Sequence, residues 1–256
     1  MSAGRLHTAP GAYVAPNVQV EGDVTVGTNA VVLAPEDDSE PATILRDGAI
    51  IGANATIWSG VSVGMKAVVQ PGAVVTQSVP DLAIVEGNPA RIVGYADATH
   101  PLTAAPATVA ADAPRSSQVE GVTLHPLRVV EDLRGKLSVG EFEEDVPFRP
   151  KRYFLVFDVP TAETRGAHAH LTCAQFMVAI RGSVSIVVDD GTRREEFLLA
   201  SPTLGLLVPP MVWAIQYRYS PDAILLVFAS DHYDPADYVR DYSKFLDLVR
   251  DQTAAS

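Results

Sequence analysis

The chain has 256 residues, of which 47% are hydrophobic and 20% charged, and 31 acidic against 19 basic side chains give a formal net charge of -12. That length supports one large core or two small ones, and the composition excludes a wholly disordered, collagenous or coiled-coil chain. The acidic balance gives no field for a nucleic-acid backbone, the single cysteine, Cys173, excludes an internal disulfide, and no apolar run is long enough to span a membrane; a cytoplasmic protein with no nucleic-acid or membrane partner is expected.

Residues 1–97 repeat with a period of six. Aliphatic residues stand at Val14, Val20, Val26 and Val32 and then, after a slip of one residue, at Leu45, Ile51, Ile57, Val63, Val69 and Val75. A second small or aliphatic series runs two residues ahead, through Val18, Val24 and Ala30 and again through Ala49, Ala55, Val61, Ala67, Ala73 and Val79. Neither a helix nor ordinary strand alternation has this period. Short strands joined by tight turns do, when three of them make one coil of a parallel prism. Asn17, Asp23, Asn29, Asn54, Gly60 and Gly72 fall where each turn needs a permissive backbone. The slip predicts a loop over Ala34–Thr43, and the hexads amount to three or four coils, few enough that the open stack needs covering or association.

The segment from Ile51 to Gly94, with its Gly-Asn-Pro-Ala-Arg tail at residues 87–91, resembles the closing coils of the left-handed β-helix of hexapeptide-repeat acyltransferases. That resemblance implies a trimer, acetyl-CoA held in the groove between neighbouring prisms, and a histidine as general base. No histidine stands between His7 and His100, and His7 lies ahead of the prism, which leaves Glu36, Asp37, Asp38 and Glu40 of the loop as candidate bases. Two readings follow: an N-acetyltransferase that uses acetyl-CoA on a dTDP-3-amino-3,6-dideoxyhexose, or a trimerising scaffold.

Residues 98–120, rich in Ala, Pro, Thr and Ser and without period, read as a linker. Residues 121–256 follow a different pattern. Short apolar runs at Tyr153–Val159, Gln175–Ile180, Val184–Val188, Glu196–Leu199, Leu204–Val208 and Ala223–Phe228, parted by turn signals such as Asp189-Asp190-Gly191, predict an all-β barrel or jelly roll. An Asp-Pro start and apolar residues near helical spacing predict a surface helix over Asp234–Arg250.

The chemistry concentrates in Arg165–His170, RGAHAH. Residues two apart in a strand share a face, so His168 and His170 point together, as metal ligands or as proton carriers near neutral pH. The metal-binding cupin pattern adds a Glu and a third His. Gln175 holds the first of those places and Trp213-Ala214 the second, so no catalytic metal is expected.

Four segments, RGAHAH, Gly182–Gly191, Leu206–Trp213 and Ala229–Phe245, resemble the cupin-type nucleotide-sugar 3,4-ketoisomerases, often labelled WxcM-like, some of which are fused behind a hexapeptide-repeat acetyltransferase. The resemblance implies a cofactor-free enediol isomerisation of a dTDP-4-keto-6-deoxyglucose substrate in deoxy-aminosugar biosynthesis. His170 would be the principal base and His168 its partner, or the reverse, and Arg152 would bind the diphosphate or polarise a sugar oxygen. Where the family has a tyrosine this chain has Phe157, with Tyr153 and Tyr217 as candidate replacements. Arg165 binds substrate or ends the turn. Gln175 fixes the His170 tautomer or meets the sugar, and Trp213 stacks on thymine or fills core. The expected architecture is therefore all-β: a short left-handed parallel β-helix, then a cupin barrel with a C-terminal helix, assembled as a homo-oligomer through the helix unit with dimer contacts through the cupin.

Overall fold

The computed structural model describes residues 5–36, 41–97, 113–160 and 164–255. Its contacts fall into two compact units, residues 1–97 and 98–256.

The first unit is the prism that the period of six demands. Two- and three-residue parallel strands stack into three sheets, with inward columns Val26, Ile51, Val69, Val85 on one face, Val14, Val32, Ile57, Val75 on the second, and Val20, Leu45, Val63 on the third. Val26, Val32, Leu45, Ile57, Val63 and Val69 are fully buried, while Val14 and Val20 on the earlier coil are half-buried. Successive rungs are 18 residues apart from Ile51 to Val69, but 25 apart from Val26 to Ile51, because the predicted loop leaves the prism between them. Gly52 follows an inward residue for a steric reason: a Cβ there would lie 2.5 Å from the Pro71 nitrogen of the next coil. The left-handed backbone of the turns falls on Asn29, Asn54, Gly60 and Gly72 as expected, but on Gly22 rather than Asp23, and Asn17 instead donates from its side chain to the Pro35 carbonyl. His7 does not precede the prism. Leu6–Thr8 is its first rung, paired with Val24–Val26, and His7 faces outward above Thr25 and Ile50. The last coil is covered by Arg91–Tyr95, which returns antiparallel to Ala83–Glu86. Of the loop acids, Asp37, Asp38 and Glu40 lie outside the described residues.

The second unit is a two-sheet antiparallel barrel. One sheet runs, in spatial order, Arg115–Ser116, Thr123–Pro126, Leu204–Val208, Gln175–Arg181, Ile224–Ala229, Arg152–Phe157; the other runs Arg194–Leu199, Val184–Asp189, Trp213–Tyr217, Arg165–His170, Tyr238–Val239. Their inner faces close on Met177, Ile186, Val188, Leu199, Leu206 and Leu225. Of the predicted linker, residues 98–112 lie outside the described residues, and its end is not a linker, since Arg115–Ser116 pairs with the strand at 123–126. The C-terminal helix is Tyr242–Ala255, shorter than predicted. The Asp234-Pro235 start is real, with the Asp234 carboxylate accepting from Ala236 N, but it opens a single 3-10 turn, after which Tyr238–Val239 pairs with Arg165–His170. No helix among the described residues is long and apolar enough to cross a membrane.

Candidate active site

The strand Arg165–His170 is shaped to bring its two histidines together. Gly166 and Ala167 have φ of 81 and 48, and the register against Trp213–Tyr217 slips between Gly166 and His168. Such a bulge re-aims the side chains that follow it. The two imidazoles meet edge to face, with centroids 4.9 Å apart and the Nε2 atoms 3.2 Å apart.

Each Nδ1 meets a group that only accepts. His168 Nδ1 lies 3.0 Å from the Gly166 carbonyl, and His170 Nδ1 lies 2.7 Å from a carboxylate oxygen of Asp237. Both Nδ1 atoms therefore donate, and in the neutral rings both Nε2 atoms present lone pairs. The amide of Gln175 donates to His170 Nε2 at 2.9 Å, which supports the same tautomer. The other Asp237 oxygen takes the backbone N–H and the hydroxyl of Thr172, so the carboxylate is fixed from both sides.

Burial pushes His168 down to about 4, with the charges of His170 and Arg240 adding to it against the bond to Gly166. His170 is also lowered, chiefly by burial, but Asp237 opposes the shift. Burial works against the Asp237 carboxylate, yet the bonds from His170 and Thr172 hold it below the usual range. The pair is thus neutral near pH 7, and Asp237 makes His170 the ring better able to accept a proton.

The Tyr238 ring lies against both imidazoles, at 4.9 and 4.4 Å between centroids, with the Arg240 guanidinium 4.4 Å from its centroid. Arg152 reaches the Tyr238 hydroxyl at 3.4 Å and leans on the rings of Phe154 and Tyr233. Its Nε is buried with no hydrogen-bond partner among the described residues. Tyr238 also borders a cavity of about 350 Å³ whose walls include Phe154, Val156, His168, Gln175 and Gln216, with Arg165 in its lining.

Of the residues singled out by sequence, His168, His170, Gln175, Arg152 and Arg165 come together here. Three do not. Tyr153 is 68% exposed near the start of the edge strand and is not among the residues that line the cavity. Tyr217 is buried, but on the face of its strand opposite Gln216, so neither tyrosine replaces the one absent at Phe157. Trp213 is core: it packs on Tyr242 and Phe245 of the C-terminal helix at 5.2 and 5.6 Å, leaving no face for a base. Asp237, Tyr238 and Arg240 were missed because the segment reads as helix; their placement depends on a two-residue strand whose partners lie 68 and 70 residues upstream, in the pairing of His170 with Tyr238 and Ala169 with Val239.

The donor set does not suit a catalytic metal. The Gln175 amide fills the place of the carboxylate ligand, and an amide is a far poorer metal donor than a carboxylate. His170, Cys173 and Asp237 have ligand atoms within 4.8 Å of one another, but the imidazole and carboxylate there are already bonded to each other through Nδ1.

Barrel, inward histidine pair and the carboxylate bonded to it together define a cupin. The chain belongs to the family described as WxcM-like, C-terminal, whose model matches residues 120–250. The TDP-4-oxo-6-deoxy-alpha-D-glucose-3,4-oxoisomerase of Aneurinibacillus thermoaerophilus is 41% identical over 114 residues, 44% of this chain and 82% of that protein. A 3,4-ketoisomerase structure from Helicobacter canadensis is 34% identical with a TM-score of 0.50, covering 51% of this chain and 98% of that one. QdtA, a sugar 3,4-ketoisomerase from Thermoanaerobacterium thermosaccharolyticum solved with TDP, is 30% identical with a TM-score of 0.51, covering 52% of this chain and 98% of that one. In the first unit, residues 43–77 match the hexapeptide repeat of succinyl-transferase. A Staphylococcus aureus 2,3,4,5-tetrahydropyridine-2,6-dicarboxylate N-acetyltransferase is 45% identical there over 75 residues, 29% of this chain but only 31% of that enzyme.

Proposed function

We propose that the second unit is a 3,4-ketoisomerase that converts TDP-4-oxo-6-deoxyglucose into the 3-oxo sugar through an enediol, without a metal. The observation that carries this reading is the convergence of two Nε2 lone pairs 3.2 Å apart, one of them on a ring held by the Asp237 carboxylate. His170 Nε2 takes the proton from C3, which the neighbouring carbonyl makes acidic, and its charge is balanced by Asp237 through Nδ1. That proton then lies at hydrogen-bond distance from the His168 lone pair. The space between the rings holds one proton and excludes a second, so the pair stores what C3 loses until C4 receives it. The hydroxyl proton on O3 moves to O4, which balances the exchange of carbonyl and alcohol.

Arg152, with a buried and unpartnered Nε, and Arg165 at the cavity lining supply cations for a diphosphate in an otherwise acidic protein. Tyr238 replaces Tyr153 and Tyr217 as the phenol in reach of the reacting atoms. The test is turnover of TDP-4-oxo-6-deoxyglucose by chelator-treated protein, followed by NMR. Formation of the 3-oxo product, lost when His168 and His170 are both replaced by Asn, is the expected result; absence of product, or dependence on added metal, defeats the reading.

For the first unit, assembly is the reading favoured by its surface. Tyr13, Ile50 and Trp58 are 53, 46 and 52% exposed on an otherwise regular prism, as suits a homotrimer that covers them. Acetyl transfer from acetyl-CoA is the second reading, supported by the repeat match at residues 43–77. Release of free CoA in the presence of a TDP-3-amino-3,6-dideoxyhexose would establish it, and sedimentation of the purified chain tests the trimer.

A further inference from the structure

Gln216 lines the same cavity, is 5% exposed, and takes no part in the proton transfer just described. Its strand position faces the interior, paired with Arg165, two residues along from Ala214, which pairs with His168. At a strand rise of about 3.3 Å per residue, it stands about 7 Å along its strand from the position opposite His168.

The amide is fixed from behind. The Tyr219 hydroxyl donates to Gln216 Oε1 at 2.6 Å. Burial pushes the Tyr219 phenol up, so it keeps its proton and remains a donor, against a small opposing effect of Arg165. With Oε1 committed, Nε2 is left with two N–H groups, and the hydrogen-bond partner it has among the described residues is the Met177 thioether at 3.9 Å, a weak acceptor. A buried amide N–H without a good acceptor is costly in the empty site and is rewarded when a ligand oxygen reaches it.

We infer that Gln216, oriented by Tyr219, is the donor that binds the free hydroxyl of the hexose at C2. The assignment rests on the ketoisomerase reading. In a 4-oxo-6-deoxyhexose nucleotide C1 carries the diphosphate, C3 and C4 carry the reacting oxygens and C6 is a methyl group, so O2 is the remaining hydroxyl. Phe154 and Val156 across the cavity offer no partner to it and suit the methyl instead.

The experiment compares TDP-4-oxo-6-deoxyglucose with its 2-deoxy analogue in the wild-type protein and in Gln216→Met, Gln216→Glu and Tyr219→Phe. Gln216→Met keeps the volume and removes the amide. Gln216→Glu keeps the acceptor for Tyr219 and removes the N–H, so it serves if the first variant misfolds. Both should lower kcat/KM for the parent sugar by roughly tenfold to thirtyfold, and leave the analogue unchanged. Tyr219→Phe, which frees the amide to turn, should show a smaller loss with the same selectivity; a merely structural role for Tyr219 would reduce both substrates alike. Equal losses on both sugars, or none on the parent, overturn the assignment of O2. Failure of the wild-type protein to turn over the parent sugar would instead overturn the ketoisomerase reading itself.

Discussion

The two units bury their cores by opposite rules. In the prism each inward residue lies above one of the same kind 18 residues away, so Ile51 rests against Val69, and a local period decides burial. In the barrel the decisive pairings are unrelated to any period: His170 stands beside Tyr238 on a two-residue strand and beside Gln175 on another sheet. A repeat therefore displays its architecture in sequence but offers little chemistry, whereas an irregular sheet conceals both until distant strands meet. The surfaces reflect the same division, since the prism's outward columns carry Ile50 and Trp58 exposed while the barrel keeps its polar groups, His170, Gln175 and Gln216, inside.

The largest expected effect breaks the non-local pairing itself. Asp237→Asn keeps the shape but removes the charge that balances a protonated His170. kcat should fall roughly a hundredfold to a thousandfold by analogy with other orienting carboxylates. Because Asp237 raises the His170 value against burial, its loss should also move the acidic limb of the pH–rate profile to lower pH. A fall in activity with no movement of that limb would leave Asp237 with a purely structural role.

The matching perturbation of the repeat is Ile57→Ala. Ile57 is fully buried between Val32 and Val75 on its face of the prism. Its truncation should destabilise the first unit by about 2 to 5 kcal/mol. Calorimetry should show the loss, while kcat of the isomerisation stays at the wild-type level if the barrel alone carries the chemistry. A smaller effect is expected from Gly166→Ala. The residue has φ of 81, and a Cβ would lie 2.8 Å from the Ala214 carbonyl oxygen, so strain of about 1 to 3 kcal/mol should appear together with a misplaced His168. Lower activity with unchanged KM would locate the defect in the proton relay rather than in binding.

How far sequence reasoning reached follows from these same rules. The inward series from Val26 to Val75 was legible because one period governs each member. RGAHAH was legible because two histidines two apart in a strand share a face. Asp237 was not: its neighbours Asp234 and Pro235 are sound helix-start residues, and the 3-10 turn they open is indistinguishable in sequence from the first turn of a longer helix. Trp213 was ambiguous for another reason, since core and base-stacking sites use the same aromatic ring, and only the arrival of Tyr242 and Phe245 decides between them.

Acid titration separates the units most gently. His168 is buried and neutral in the folded barrel, titrating near 4, against an ordinary value of 6.5 once unfolded. Below 6.5 the unfolded chain binds a proton that the folded site refuses, so stability must decrease as pH falls from 6.5 towards 4 and gain no further loss from this group beneath that. The depressed Asp237 carboxyl adds its own loss at lower pH, where it too must be protonated. The prism has no buried histidine among its described residues, so the expected decline belongs to the barrel. Hydrogen exchange followed across this range should therefore show the barrel core around Met177 and Leu225 losing protection before the column of Ile51 and Val69 does. His168→Asn should reduce the barrel's dependence in that window without abolishing it, because burial also lowers His170 and His125. If the two units instead lose protection together, the acid response does not come from the barrel's buried imidazoles.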